Sequence, residues 1–346
     1  MEIGKYYERF AASPKTKFLS LKEGVLDIED FTAYRDATTR VNSAINEAGR
    51  EGRDISMMEA VGSINGQWEH HAANNIIESV AVDFDDISCL DWWNSYDGGS
   101  MLCPDHYGSI LAAHAQGVAV ELGTPVTHID WGGSGVKVET SAGTINCKAV
   151  IVTASVGVLA AEKIKFTPAL PLIKQEAFHN VRMGVYNNIA LQFSEDIFGF
   201  GQDAYVDYNN GDDRGGEIMT NLGGTNEGGK PLSFMYSGGS HGRELELAGI
   251  DAAVEYGLFE IVNMYGSDVK KKFIKGYMTR WGENPWSLGC YSAARPGYFH
   301  LRKELRVPEA DKLFFAGEAG EPTEFGSCHG GYLNGIRMAN KVIDVL

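Results

Sequence analysis

Near its end the chain runs from a short apolar stretch (Leu313, Phe314, Phe315) into Gly317-Glu318, a polar turn, and then Gly326-Ser327 ahead of a helical pattern. Ser327 is a natural N-cap, and Leu333, Ile336, Ala339 and Ile343 recur at helical spacing as an apolar stripe. A helix N-terminus carries unpaired N–H groups and partial positive charge. A strand, turn and helix of this kind therefore suit the middle of a large anionic cofactor. Alone the signal is weak, because any strand–turn–helix can contain Gly-Glu. A nucleotide cofactor also calls for a glycine-rich G-x-G-x-x-G turn after an early strand, with an acidic residue further on. The 346 residues contain no usable copy. GFGQDA (199–204) lacks the third glycine and lies in an acidic stretch, and GGSGVKV (132–138) reads as a hairpin.

The elements that must position this ending alternate in type along the chain. Residues 1–96 read as mostly helical: Val41, Ile45 and Ala48 share one helix face, and SMMEAVGSIN (56–65) predicts a second, short helix. Trp92 and Trp93 precede a turn signal at 95–101. Beyond it, GSILAAHAQ (108–116) predicts a short helix, and TPVTHIDW (124–131) a strand with Val126 and Ile129 among polar neighbours. VKVETS (136–141) then returns as a hairpin partner. AVIVTAS (149–155) is a continuous apolar strand of the kind buried on both faces. A further strand is expected at 187–193 and a helix at 251–266. The stretch 194–217 carries seven acids and one arginine. It reads as a solvated loop over part of a sheet, or alternatively as an acidic rim that steers amines. The final 65 residues return to strand, turn and helix.

Length and composition set the outer limits. At 346 residues the expectation is two domains, with 44% hydrophobic and 11% aromatic residues arguing against disorder. No apolar run approaches the ~18 residues of a membrane span, and the opening MEIGKYYERF is too polar for a secretory signal. Five scattered cysteines form no C-x-x-C pair, which points away from a zinc site or a disulfide framework and toward a reducing cytoplasm. A net charge of −16 disfavours nucleic acid and anionic membranes as partners.

Four segments in order, TPVTHIDW, AVIVTASVGVLAAEKIKFTPALPLIKQEAF, TRWGENPWSLGCYSAARPG and LFFAGEAGEPTEFGSCHGGYLNG, together resemble the flavin-containing amine oxidase family. That family includes monoamine and polyamine oxidases, L-amino-acid oxidases and flavin-dependent histone demethylases. The resemblance covers residues 98–346; the first 96 are compatible with a substrate domain but carry no motif. It implies FAD as cofactor and a small amine as substrate. By this resemblance Val126 meets the adenine and Trp281 lies beside the isoalloxazine. Gly317 and Glu318 border the ribityl–pyrophosphate portion, and Ser327 and Cys328 open the helix at the flavin ring. Tyr291 forms one wall of an aromatic cage. The second wall, a tyrosine in monoamine oxidases, is replaced here by Ser327, a departure shared with spermine-oxidase-like and demethylase-like members that leans away from a simple arylalkylamine substrate. Cys290 falls where monoamine oxidases bind flavin through a thioether. A thiolate is the nucleophile for such a bond, but cysteine is also a small buried residue, and non-covalent FAD is expected. The family lysine that helps reduced flavin meet oxygen aligns with Asn188, a neutral amide that stabilises developing negative charge far less. Oxygen is therefore expected to be a poor acceptor.

These readings combine into an α/β chain with two discontinuous domains, a Rossmann-like FAD-binding domain that is incomplete and a substrate domain of mixed sheet and helices. The expected segments are 1–96 (substrate domain, helical part), 97–160 (FAD-binding), 161–278 (substrate domain) and 279–346 (FAD-binding). The missing dinucleotide turn leaves two explanations: a separate small chain of roughly 80–120 residues supplies it, making a hetero-oligomer, or the chain is a fragment. An initiator-like Met1 favours a natural subunit. The expected activity is oxidation of an amine to an imine. A flavin dehydrogenase or desaturase acting on an amino acid or a non-amine, and a catalytically silent FAD-binding subunit, are the alternatives.

Overall fold

The computed structural model describes residues 17–20, 24–25, 28–95, 107–199, 204–209, 216–222 and 230–346. Two short strands, β1 (Lys17–Ser20) and β2 (Gly24–Val25), precede four helices, α1 (Ile28–Arg50), α2 (Met57–Val61), α3 (Gly66–Val80) and α4 (Cys89–Asn94). Val41, Ile45 and Ala48 are all fully buried, so the helical spacing read from sequence is the packing face of α1. It joins Met57, Ile76 and Cys89 in a helical core.

After α5 (Tyr107–His114) comes a hairpin sheet of β3 (Val126–Asp130), β4 (Val136–Thr140) and β5 (Gly143–Cys147). β6 (Val150–Val152) leads into α6 (Val156–Ala160); β7 (Lys165–Thr167) then joins the hairpin sheet in the order β5-β4-β3-β7. α7 (Leu172–Asn180) and β8 (Val181–Met183) follow. Leu170, Ala177, Phe178 and Val181 pack with Ile129, Val152 and Phe315 in one core. This packing continues beyond residue 160, the segment boundary expected from sequence.

The large sheet is built from β9 (Tyr186–Phe193), β10 (Ala204–Asn209), β11 (Gly216–Thr220) and β12 (Leu232–Gly238), with β13 (Phe273–Met278) at one edge and β1 and β2 at the other. Between β12 and β13 lie α8 (Gly239–Ala248), α9 (Ile250–Tyr265) and a 3-10 turn at Ser267–Lys271. Ile189, Leu191 and Phe193 face α9 and are fully buried, alternating with half-buried positions as a one-sided strand must. The acidic stretch 194–217, read from sequence as loop, contains β10 and the start of β11. Val206, Tyr208 and Ile218 are buried, but polar and glycine neighbours hide their alternation. The acidic side chains from Asp203 to Glu217 lie outside the described residues.

The chain closes with β14 (Ser292–Ala294), paired with β8, then α10 (Leu301–Leu305), β15 (Leu313–Phe315), a 3-10 turn at Glu318–Gly320 and α11 (Cys328–Val345). β15 runs parallel to β6, and among the described residues these two strands form a sheet by themselves. α11 does not bury the face its sequence pattern predicts. Asn334 and Met338 point inward, while Leu333, Ile336 and Ile343 are exposed. The orientation follows from Asn334, whose carboxamide accepts from Gly317 N–H (3.3 Å) and donates to Glu321 Oε1 (2.9 Å). No helix among the described residues is long and apolar enough to cross a membrane, and none of their His, Cys, Asp and Glu side chains cluster as a metal site.

A buried ion pair ties the first helices to the last segment. Arg302 Nε and Nη2 donate to the two carboxylate oxygens of Asp91 at 2.6 and 2.9 Å, and Nη1 donates to Ser292 Oγ and the Ala319 carbonyl. Removing one partner strands the other charge in the interior, at a cost of about 3–5 kcal/mol. Arg302→Leu should therefore lower the denaturant midpoint strongly, and Arg302→Lys, lacking the planar fork, should recover only part of the loss. Chemical denaturation of both variants measures this; a near-neutral Arg302→Leu would show that the pair is not a structural clamp.

Candidate active site

Two cavities meet at the carboxyl ends of β6 and β15. One, of about 300 Å³, is bordered by Val152, Met183, Cys290, Gly317, Glu318 and Asn334. The other, of about 540 Å³ and mostly apolar, is bordered by Val126, Ile129, Val150, Ile151 and Ile164. They share Val152, Thr153, Ala154 and Trp286. The crevice outside the carboxyl ends of parallel strands is where open α/β sheets bind ligands.

The backbone around this crevice is held by local chemistry. Ser155 caps α6 by accepting from Val158 N–H, and its hydroxyl donates to the Ser287 carbonyl at 2.6 Å. A Cβ on Gly157 would come within 2.9 Å of the Ser287 and Leu288 carbonyls, so only glycine lets the 281–290 loop sit this close. That loop brings Trp286, 73% exposed, over both cavities.

Glu318 faces the crevice from its 3-10 turn, but its carboxylate is already engaged. Oε1 accepts from Ser292 N–H (3.0 Å), and Oε2 accepts from Ser292 Oγ–H and Gly326 N–H (both 2.7 Å). The side chain therefore braces β14 and the helix-opening loop. Ser327 caps α11, accepting from Gly330 N–H at 3.1 Å and donating to the Glu324 carbonyl at 2.5 Å. A Cβ on Gly330 would lie 1.9 Å from that carbonyl, so the loop folds back tightly onto the first turn. Gly331 in that turn approaches the backbone nitrogen of Glu318, with an ideal Cβ 3.9 Å away. Cys328 is exposed at the helix start and lies beside the Tyr107 phenol. The carboxyl ends of two parallel strands and the first turn of an 18-residue helix thus converge on one crevice. That arrangement fits an anionic, elongated cofactor.

Cys290 lies on the crevice wall, with its thiol donating to the Gly184 carbonyl at 3.1 Å. Burial pushes its pKa up to about 12, so the protonated thiol dominates near neutrality. Tyr291, the next residue, packs 5.9 Å from the Tyr186 ring, which in turn lies 5.6 Å from Tyr236. Its hydroxyl donates to the Ser79 carbonyl at 2.7 Å, and burial raises the phenol pKa well above its ordinary value. Tyr291 can offer an aromatic face but no ready proton transfer.

Asn188 sits on β9 opposite Tyr236 in the register, its backbone fixed in both directions by Thr279. Its Oδ1 is buried without a hydrogen bond. The adjacent Asn187 is the contrary case. It is fully buried, donates to Glu246 (3.0 Å), and accepts from Thr279 Oγ–H and Trp281 N–H. Trp281 is held through that backbone bond, with its ring 44% exposed.

Of the residues singled out in the sequence, Val126, Cys290, Gly317 and Glu318 border the joined cavities. Ser327 and Cys328 adjoin them through Glu318 and α11. Tyr291 is next to Cys290, while Asn188 and Trp281 belong to the neighbouring sheet end. Sequence reading missed Trp286 and Asn334. The first shares its motif with Trp281, five residues away; a mid-helix asparagine gives no signal of its own.

The sequence profile of flavin-containing amine oxidoreductases matches residues 38–343. Polyamine oxidase 4 of Oryza sativa subsp. japonica is 28% identical, the match covering 96% of this chain and 69% of the relative. Polyamine oxidase 2 of Arabidopsis thaliana is 32% identical, over 75% of this chain and 52% of the relative. The chain thus spans about half to two thirds of the length of these curated relatives. Among solved structures, putrescine oxidase bound to putrescine superimposes with a TM-score of 0.77 at 13% identity, over 96% of this chain and 81% of that one. Cyclohexylamine oxidase from Brevibacterium oxydans gives 0.73 at 17% identity with the same coverage. Both structural likenesses concern the fold.

The Cys290 thiol makes a testable demand on pH. Its pKa is raised from 9.0 to about 12, so the folded state holds this proton more tightly than the unfolded chain does. The resulting stabilisation is complete below about pH 9 and is lost as pH rises toward 12. Cys290→Ala should flatten the decline in unfolding free energy between pH 9 and 11. At pH 7.5, iodoacetamide should modify Cys328 well before Cys290, as read by peptide mass spectrometry. Early Cys290 labelling in the folded protein would contradict the buried thiol.

Proposed function

The chain belongs to the flavin-containing amine oxidoreductase family, and from this membership we propose that it serves an FAD-dependent enzyme oxidising an amine of the polyamine class. The carrying observation is the crevice itself, where the ends of β6 and β15, the α11 N-terminus and the aromatic wall begun by Tyr291 and Tyr186 converge. The polyamine class is supported by the rice and Arabidopsis relatives and by the putrescine-bound structural neighbour. When bound, FAD supplies the two-electron acceptor for a hydride equivalent from the carbon bearing the amine.

This chain's residues do the rest. Val126, Gly317 and the first turn of α11 hold the cofactor, with Ser327 and Cys328 at the helix opening. Glu318 keeps its turn in place through Ser292 and Gly326. Trp281 and Trp286 shape the 281–290 loop. Tyr291 presents a ring face to an uncharged amine, and its tethered hydroxyl takes no proton. The product imine leaves to hydrolyse in water. Cys290 contributes packing, and the cofactor is held non-covalently. The protein works in a reducing, cytoplasmic setting.

Oxygen is a poor acceptor in this reading. By the family resemblance Asn188 takes the place of a lysine, and its neutral amide, whose Oδ1 is buried without a hydrogen bond, offers no fixed positive charge. The enzyme then acts as a dehydrogenase with another acceptor.

The flavin-loaded enzyme, mixed anaerobically with spermidine or putrescine, should lose its yellow colour. A loaded protein that no polyamine bleaches would be a silent binding subunit. Asn188→Lys should speed reaction with oxygen by about one to three orders of magnitude, each tenfold step corresponding to roughly 1.4 kcal/mol. Amine-dependent bleaching should change little. Fast oxygen reaction in the unaltered protein, insensitive to the substitution, would refute the dehydrogenase reading.

A further inference from the structure

From the register of β9 with its two neighbours, we infer that a groove floored by Ala190 and walled by Phe234 and Tyr277 takes the distal cationic arm of the amine. This rests on the proposed amine oxidation and names the part of the substrate that this chain selects.

Strand alternation separates the two faces of the large sheet. Asn187, Ile189, Leu191 and Phe193 are buried toward α8 and α9, so Tyr186, Asn188, Ala190 and Gln192 share the opposite face. On that face Tyr291 begins a continuous run of rings. The Tyr186 ring lies 5.9 Å from Tyr291, Tyr236 lies 5.6 Å from Tyr186, and Phe234 lies 5.2 Å from Tyr236. The run leaves the crevice and follows β12 outward beside β9, with Tyr236 opposite Asn188 and Phe234 opposite Ala190.

On its other side Ala190 pairs with Tyr277 of β13, at the sheet edge. A row across three strands thus reads Phe234, Ala190, Tyr277, a small residue between two rings. The two aromatic residues stand about 10 Å apart, twice the strand spacing. Ala190 is only half-buried and Tyr277 is 57% exposed, so the space above the alanine opens to water at the edge. The helices behind the sheet do not call for a small residue at 190. Their close approach falls on Gly276, where a Cβ would meet Val254 at 2.7 Å on the other face.

A groove walled by rings suits a methylene chain that ends in an ammonium, because the ring faces attract a cation. The next row outward is Leu232, Gln192 and the exposed Lys275, and none of these described side chains is acidic. Successive rows lie about 7 Å apart along the strand. The arm of putrescine therefore ends over Phe234 and Tyr277, whereas spermine carries further cations toward the Lys275 ammonium. The groove selects a short diamine arm: a longer polyamine is repelled at its outer end, and a monoamine leaves the rings unused.

Ala190→Cys supplies a probe that keeps the floor small. In the flavin-loaded enzyme under anaerobiosis, putrescine at high occupancy should slow iodoacetamide labelling at position 190 about tenfold relative to butylamine. Labelling of Cys328 should not change, as read by peptide mass spectrometry. Ala190→Leu, which fills the floor, should raise the KM of putrescine for flavin bleaching about tenfold, while the butylamine KM and both maximal rates stay within about twofold. Tyr277→Ala, at an exposed position, should raise the putrescine KM about two- to fivefold, and it carries the same test should Ala190→Leu fail to fold. Lys275→Glu should bring spermine toward putrescine in protecting position 190. Equal labelling in putrescine and butylamine would overturn the groove, and equal KM shifts for both amines would reduce Ala190 to a structural residue. Spermine protecting as strongly as putrescine with Lys275 in place would overturn the length limit. Protection by putrescine in an enzyme that putrescine does not bleach would leave the groove standing and remove only the amine-oxidation reading.

Discussion

With 1% of its side chain exposed, Arg302 must find its hydrogen-bond acceptors inside the protein, and it finds them on three separate stretches of chain. Asp91 comes from the early helices, Ser292 from β14 beside the crevice, and Ala319 from the turn that carries Glu318. Phe325 stacks its ring 3.6 Å from the guanidinium carbon. Asp91 also accepts from Ala294 N–H, so its oxygens serve β14 as well. A buried charge pair earns little net stability, but it sets relative position sharply because any misplacement leaves a charge unpaired. Tyr291 and the Glu318 turn inherit their placement from this junction.

A second constraint governs the sheet side of the site. Adjacent residues of a strand point to opposite faces, so the Asn187-Asn188 pair is divided between two environments. Asn187 enters a closed network with Glu246, Thr279 and Trp281. Glu246 is itself completed by Arg243 and Gly282 N–H. Asn188 faces the Tyr186–Tyr236 side with no such partners. The same dipeptide thus anchors the 281–290 loop with one residue and presents a neutral amide with the other.

The exposed apolar surface lies close to the cofactor crevice. Surface of this kind is a liability for association unless a partner covers it.

Much of the architecture was legible in local pattern. Val41, Ile45 and Ala48 were readable as a buried face because 3.6-residue periodicity needs no tertiary information, and the β3–β4 hairpin was readable from Gly-rich turn chemistry between alternating strands. Motif order carried the family and placed Gly317, Glu318 and Ser327 at or beside the crevice, Glu318 and Ser327 acting there through a carboxylate brace and a hydroxyl cap that their residue types supply. What the sequence could not decide was orientation and long-range pairing. The Leu333–Ile343 stripe predicted the wrong inward face, since the rotation of α11 is set by Asn334 bonding to Gly317 and Glu321. Arg302 and Asp91 are 211 positions apart, and neither residue type announces a buried pair. β10 was hidden because Val206 and Tyr208 alternate with residues typical of loops. Local propensity determined which elements form; only burial of polar groups with distant partners determined how they face one another.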